Sequence, residues 1–212
     1  MLALPNLVSL TIWHGRLQVA DKEQIQLPML EILTFFGIWE NFSLISAPRL
    51  TRLALKEATA RQEHYISALL DAISRPTSLI LNHGISGEYL VRLFSGPWSN
   101  LRELHIVSSA YSVYPDPVAT KALAGGESHL PLCPCLRVLT ITVNVHGKGD
   151  RAAISLMVEP FVDNLKIIVD GRKRREIEKL QRATCLWNFS PLTTTLTVDT
   201  QQSKQTEWVD FT

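Results

Sequence analysis

LPNLVSLTIWHG, residues 4–15, decides the fold, because its apolar residues Leu7, Leu10 and Ile12 follow the spacing L-x-x-L-x-L. Residues two apart on a β-strand point to the same side, so Leu10 and Ile12 are expected to enter one core. The spacing recurs in PMLEILTF at 28–35, PRLTRLAL at 48–55, SNLRELHI at 99–106 and PCLRVLTI at 134–141. A weaker copy, PTSLILNHG from Pro76, has proline in place of the first leucine. The recurrence predicts a repeat protein in which each copy supplies one short parallel strand.

The distances between copies agree with a repeat. The first positions are 7, 30, 50, 76, 101 and 136, so the first four intervals are 23, 20, 26 and 25 residues and the fifth is 35. Leucine-rich repeats are about 20 to 29 residues long, so the fifth interval indicates an insertion, which we place at 108–133. We expect a loop there with about one turn of helix around Pro117 to Leu123. It is either a projecting binding segment or an excursion without a partner.

The segments between strands and after the last clear copy complete the predicted architecture. Amphipathic helices are predicted at 62–74 and 87–96, and another from Arg151 that Pro160 ends or kinks. Two distorted copies, VDNLKIIV from Val162 and TTTLTVDT from Thr193, are expected to close the array. Strands alternate with helices without the glycine-rich phosphate loop of a doubly wound nucleotide-binding fold, so we predict an open α/β coil.

With its copies aligned, the chain resembles the leucine-rich repeat superfamily over residues 4–141, and less closely to 198. The resemblance implies an irregular leucine-rich repeat solenoid, with a curved parallel sheet on the concave face and helices and loops on the convex face. We place the repeat domain at 1–198, with clear repeats at 4–144, degenerate repeats at 145–198, and a tail or cap at 199–212. The family often has asparagine after the strand, where this chain has Gly15, Ile38, Ala58, Gly84, Ser109 and Asn144.

Irregular lengths and P-x-L starts are similar to the degenerate repeats that follow an F-box in many fungal proteins. That resemblance implies a protein-protein interaction module, the substrate-recognition region of an SCF-type ubiquitin-ligase receptor or a truncated relative. No F-box is visible in this chain, so the SCF adaptor is expected as a partner only if an F-box lies upstream. Its start, almost directly in a repeat, suggests a fragment, a shortened gene product or a repeat-only protein. Two alternatives stay open: a scaffold or regulatory protein unrelated to ubiquitin, and a nuclear protein associated with nucleic acid.

The predicted binding site for a protein partner lies on the concave face, where strand residues between the core positions point outward. Trp13 and Phe36 are expected on neighbouring strands, where exposed aromatic rings can anchor a partner. Lys56, Asn82 and His105 would add polar recognition. The alternative interpretation is that a covering segment buries the two rings and that the polar groups are merely solvated.

A run of cations in GRKRREIEKLQR, residues 171–182, has two interpretations. The four cations at 172–175 are a nuclear-import tract or a phosphate-binding patch, or they belong to a solvated helix that turns Ile177 and Leu180 inward. Cys133 and Cys135, with His129 nearby, suggest a metal site, but C-x-C without a second pair is not the usual zinc pattern. We therefore predict no metal there and expect both cysteines to pack as small apolar groups.

Composition and motifs exclude several classes of function. The net charge of +1 gives no general attraction to nucleic acid or to an anionic membrane. No apolar run approaches the roughly 20 residues of a membrane span, and three cysteines without a disulfide pattern suit a reducing compartment. We expect a monomer in the cytoplasm or nucleus. The sequence contains no G-x-S-x-G, H-E-x-x-H or P-loop motif, so we predict neither enzyme activity nor a cofactor.

Overall fold

The computed structural model describes residues 2–13, 25–37, 45–56, 76–82, 91, 100–109, 117–125, 133–145, 163, 165–168, 170–172, 182–189 and 192–199. The chain divides into two compact units, Met1–Ile85 and Ser86–Thr212. The described residues form an α/β fold whose strands are mostly parallel. Each unit is built around its own set of repeat copies.

The first unit contains a parallel sheet with one strand from each of its four copies. These strands are β2 (Ser9–Trp13), β4 (Ile32–Phe36), β6 (Arg52–Lys56) and β7 (Ser78–Asn82), in the order β2-β4-β6-β7. Equivalent positions of the copies lie side by side. Leu10, Leu33, Leu53 and Leu79 form one line across the sheet, and Ile12, Phe35, Leu55 and Leu81 form the next. The predicted strand in each copy is confirmed, including the weak copy from Pro76.

Burial explains why the apolar positions recur. The inward side chains of β4, β6 and β7 are almost completely buried, as are Leu30 and Leu50, which open the copies of β4 and β6. These core residues are Leu30, Leu33, Phe35, Leu50, Leu53, Leu55, Leu79 and Leu81. Leu10 and Ile12 of β2 are only half-buried, because β2 is the terminal strand of this order and has a neighbour on one side.

The first unit also contains a second, smaller sheet, whose three strands precede β2, β4 and β6 in the chain. It consists of β1 (Leu2–Ala3), β3 (Ile25–Gln26) and β5 (Ile45–Ser46), which pair in parallel in the order β1-β3-β5. Two-residue strands are too short for alternation to be visible, so the sequence does not predict them.

Proline explains how the chain turns into four of the strands. Each copy with a P-x-L start forms a β-turn in which proline is the second residue, where its fixed φ fits the turn. Hydrogen bonds close the turns from the N–H groups of Leu7, Leu30, Leu50 and Leu136 to the carbonyls of Leu4, Leu27, Ala47 and Cys133, with N···O distances between 2.9 and 3.3 Å. The prolines therefore fix the direction in which each strand begins.

Threonine hydroxyls add hydrogen bonds at the starts of β6 and β7. These bonds lie at the opposite strand end from the position where the repeat family often has asparagine. The carbonyl of Glu31 accepts bonds from the N–H groups of Thr51 and Arg52, both at 3.0 Å, and from Thr51 Oγ1 at 3.1 Å. In the next copy, the Thr51 carbonyl accepts from the N–H of Thr77 at 3.0 Å and from its hydroxyl at 3.3 Å. Each carbonyl is thus shared by several donors of the following copy.

The second unit contains β8 (Glu103–Ser109), β9 (Val138–Val145), β10 (Arg182–Phe189) and β11 (Leu192–Asp199). The first three are parallel neighbours, with Leu104 beside Leu139 and Ile106 beside Ile141. β11 runs antiparallel to β10 and pairs with it along its whole length. The segment from Thr193 is therefore not a further parallel copy, because its chain reverses direction in a hairpin.

Two helical segments of several residues are described in the second unit. α1 (Pro117–Ala124) confirms the helix predicted inside the insertion and is longer than one turn. It ends at Gly125, whose φ of 86° favours glycine and whose N–H bonds to the carbonyls of Lys121 and Ala122. The second helical segment comprises residues 163, 165–168 and 170–172. The prediction of a distorted strand copy from Val162 is wrong, because Leu165 and Ile168 are buried from a helix at a spacing of three.

The other predicted helices fall mostly outside the described residues. This applies to 62–74 and to 87–96 apart from Val91, whose backbone is helical. In the described part of the chain, no helix combines the length and apolar character that crossing a bilayer requires.

Candidate functional site

One face of the sheet in the first unit carries the side chains that alternate with the core. We call it the outer face, and its register gives three rows that cross the strands. The Trp13 row is Trp13, Phe36 and Lys56; the middle row is Thr11, Thr34, Ala54 and Ile80; the Arg52 row is Ser9, Ile32, Arg52 and Ser78. This is the surface that the sequence predicts as the binding face.

The Trp13 row forms a stacked aromatic and cationic cluster. The rings of Trp13 and Phe36 lie face to face, with centroids 3.7 Å apart and planes 6° apart. Lys56 Nζ lies over the Phe36 ring, 4.7 Å from its centroid, and makes a cation–π contact with it. Trp13 nevertheless remains 63% exposed, so stacking holds the indole in place without covering it. A fixed and exposed indole can bind a partner at low entropic cost.

The middle row consists mainly of small side chains. Threonine and alanine occupy its first three positions, and Ala54 is only 3% exposed. On β6 the alanine is flanked by Arg52 and Lys56, which are its outward neighbours along the strand. The outer face therefore has a floor of mostly small side chains, with a cation on either side of it on β6.

The charge on this face has one sign. Arg52 and Lys56 are the charged residues among the described outward positions of the four strands, and neither has an ion pair with another described residue. Arg52 is exposed and Lys56 half-exposed. An exposed cation such as Arg52 attracts anionic groups of a partner.

The structure brings together three of the five residues predicted for the binding site. Trp13, Phe36 and Lys56 adjoin one another, as described. Asn82 ends β7, and its side chain is outside the described part of the structure. His105 belongs to the second unit, where its Nε2 and Thr142 Oγ1 share a hydrogen bond of 2.7 Å on the outward side of β8 and β9. Sequence reasoning did not single out Arg52 and Ala54, although strand alternation places them outward.

The two cysteines near the fifth strand occupy turn positions. Cys133 is the buried first residue of its turn, the position of Leu27 and Ala47, and Cys135 is the half-buried third residue. Burial raises the pKa of the Cys133 thiol to about 12, and the positive charge of Arg172 opposes this only in part. A protonated, buried thiol is a poor nucleophile and a poor metal ligand. Within the described ranges, no three His, Cys, Asp or Glu side chains converge on a possible metal position.

Arg172 fits neither interpretation of the basic run at its own position. It is neither a solvated side chain nor available to bind phosphate, because it is only 2% exposed. Its Nε donates to the Leu123 carbonyl at 2.8 Å, and Nη1 and Nη2 donate to the Cys133 carbonyl at 3.3 and 3.2 Å. Burial lowers the pKa of Arg172 to about 10, which leaves it charged at neutral pH. Residues 173–175 lie outside the described residues.

No protein-family model, curated protein or solved structure matches the chain.

Proposed function

We propose that the chain is an irregular leucine-rich repeat solenoid that recognises a protein partner, and that the outer face of the first unit is its recognition surface. The observation that carries the proposal is the 63% exposure of Trp13 while its ring is stacked on Phe36. An isolated exposed aromatic residue is common on protein surfaces, but one held by a parallel ring and a neighbouring cation has already lost its rotamer freedom. That preorganisation favours binding.

The solenoid proposal is supported by the register of the copies. In the first unit, each leucine of the pattern lies beside the corresponding residue of the next copy. The same hydrogen-bond arrangement recurs between successive strand starts. Such stacking buries a continuous core and leaves one row of side chains per outward position. A recognition surface built this way is wide, regular and supported by backbone on every strand.

The finer proposal is a substrate receptor of an SCF-type ubiquitin ligase, for which the support is the resemblance of the repeats to those that follow an F-box. Its test is separate from that of the recognition surface. Determining the 5′ end of the native transcript would show whether an F-box is encoded in frame upstream. If the transcript encodes none, the ligase proposal fails and the proposal of a repeat-only recognition protein remains.

The recognition surface can be tested without knowing the partner. A displayed library of short random peptides would be selected against the immobilised chain and, in parallel, against the Trp13→Ala variant. We expect a set of peptides that bind the unchanged chain and lose at least about tenfold in affinity with the variant, as for a residue that anchors an interface. Arg49→Glu is the control, because Arg49 lies on a turn, where its Nη1 contacts Met29 Sδ at 3.2 Å. Recovery only of peptides that bind both chains equally would refute this surface.

A further inference from the structure

We infer that the outer face binds an extended acidic peptide that carries an aromatic or proline residue, with the carboxylate between Arg52 and Lys56 and the ring against Trp13. This inference rests on the proposed function and specifies the chemistry of the partner. It follows from the separation of two different features on one sheet: an exposed indole on β2 and a pair of cations on β6.

The first step concerns the cations. Arg52 and Lys56 flank Ala54 on one strand and all three point outward. Four residues of a strand span about 13 Å, so side chains as long as arginine and lysine can both incline toward a group bound above the alanine between them. Lys56 uses its ammonium to contact the Phe36 ring, yet an ammonium has three N–H donors, and a contact with a ring face leaves donors for a carboxylate. Ala54 itself is only 3% exposed, so the carboxylate would contact the two cations and not the alanine.

The second step concerns the indole. Phe36 covers one face of the Trp13 ring, and the remaining surface of the side chain accounts for its 63% exposure. A flat apolar side chain is the group that gains most from contact with this surface, because aromatic pairs are stabilised beyond their buried area. Aromatic side chains and proline have this shape.

The third step fixes the spacing of the two groups in the ligand. β2 and β6 are separated by β4, so their outward side chains are about 10 Å apart at a strand spacing of about 4.8 Å. An extended peptide advances about 3.3 Å per residue, and the acidic residue is therefore expected about three positions from the ring. Between them, the hydroxyls of Thr11 and Thr34 line the floor and can bond to the main chain of the peptide.

A single-stranded nucleic acid could also use aromatic and cationic groups, but the observations favour the peptide. Sequence-tolerant binding of nucleic acid needs a positive track that follows successive phosphates. The outer face offers two cations, both on β6, and the whole chain has a net charge of only +1. Two localised cations next to a small side chain fit one or two carboxylates better than a phosphate backbone.

The peptide library described above also tests this inference. We expect the peptides that depend on Trp13 to be enriched in Asp or Glu about three positions from Trp, Tyr, Phe or Pro. A selected peptide would then be labelled and its binding measured by fluorescence anisotropy, beside a twin in which amides replace the carboxylates. The acidic peptide should bind at least about tenfold more tightly than its amide twin.

Charge reversal provides the second measurement. The double variant Arg52→Glu with Lys56→Glu should lose the acidic peptide and gain binding of a twin in which lysine replaces the acidic residues. Arg49→Glu, which reverses one charge away from this face, should leave the affinity within about twofold. Binding of the lysine twin by the double variant would also show that it is folded.

The outcomes separate the inference from the proposal beneath it. Peptides that depend on Trp13 but show no acidic enrichment, or equal binding of the carboxylate and amide twins, would overturn the inference and leave the recognition surface intact. Tighter binding of a labelled oligothymidylate than of any peptide would overturn it in favour of nucleic acid. No peptide dependent on Trp13 at all would refute both.

Discussion

Arg172 fixes the carbonyl group of Cys133 through two guanidinium N–H groups, although the two residues are 39 positions apart. The same side chain binds the Leu123 carbonyl near the end of α1. One buried arginine thus connects the insertion helix, the turn before β9 and the second helical segment. Cys133 has a φ of 52°, a backbone conformation that residues other than glycine rarely adopt. The hydrogen bonds from Arg172 hold the Cys133 carbonyl in that conformation.

Replacement of Arg172 should therefore destabilise the second unit, and lysine should be no better than methionine. Methionine leaves the Leu123 carbonyl without this donor, a loss of about 1 to 3 kcal/mol in the free energy of unfolding. Lysine keeps a buried charge but has no planar fork to reach both carbonyls. Urea unfolding of Arg172→Met and Arg172→Lys would measure this, with the exposed Arg102→Lys as the control. A lysine variant as stable as the original protein would contradict the bidentate role.

Replacement of Gly171, next to this arginine, by alanine should lower the stability of the second unit. A Cβ atom at this position would lie 2.7 Å from Ala124 Cβ and 2.9 Å from Ala124 O. Alanine would favour the helical backbone by about 1 kcal/mol over glycine, so a net loss of stability can only come from the contact. We expect Gly171→Ala to lower the free energy of unfolding by about 1 to 3 kcal/mol.

The double variant Gly171→Ala with Ala124→Gly serves as the control for this contact. It removes the closest atom and should recover part of the stability relative to the sum of the two single changes. Strict additivity in urea unfolding would mean that the helices do not meet at these residues.

The sequence predicts the strands of the six repeat copies, but it predicts neither β10 and the two-residue strands nor the contacts of Arg172. Local spacing indicates which residues form these strands, because Leu33 and Phe35 are two residues apart and both enter the core. Arg172 belongs to four successive cations, and a charged side chain is normally solvated unless distant partners compensate its burial. Its partners lie 39 and 49 residues away, which no local pattern indicates.

The candidate site also combines features that the local sequence pattern predicts with features that it does not predict. Alternation places Trp13 and Phe36 on one face and predicts that their strands are neighbours. It does not predict the stacking geometry or the exposed fraction, which depend on side-chain conformations. The proline turns were a signal that could have been used, because Pro5, Pro28, Pro48 and Pro134 all stand two residues before a buried or half-buried leucine.

The Cys133 thiol should make the stability fall as pH rises above about 9. Its folded pKa is raised from 9.0 to about 12, so the folded protein keeps the proton that the unfolded chain releases. The unfolded state then binds fewer protons, and the free energy of unfolding decreases with pH over this window. Arg172, with its pKa lowered to about 10, acts in the opposite sense only above that value.

Urea unfolding at about pH 8 and about pH 10 would measure this decrease. Cys133→Ala removes the titrating thiol and should show a smaller decrease between the two pH values, whatever its absolute stability. In a chain with Cys185→Ser, a thiol reagent should label Cys135 in the folded protein and Cys133 only on unfolding. Fast labelling of Cys133 in the folded state would contradict its burial.

Phe35 and Phe36 provide a matched pair that tests which face of β4 is the core. They are adjacent and chemically identical, but Phe35 is fully buried and Phe36 is half-buried between Trp13 and Lys56. Phe35→Ala should lower the free energy of unfolding by about 3 to 5 kcal/mol, because it leaves a cavity in the core. Phe36→Ala should cost clearly less, and Trp13→Ala about 1 kcal/mol, the value of an exposed aromatic pair. Urea unfolding of the three variants would measure the order, and a cost for Trp13→Ala equal to that of Phe35→Ala would show that the indole is a core residue instead of a recognition group.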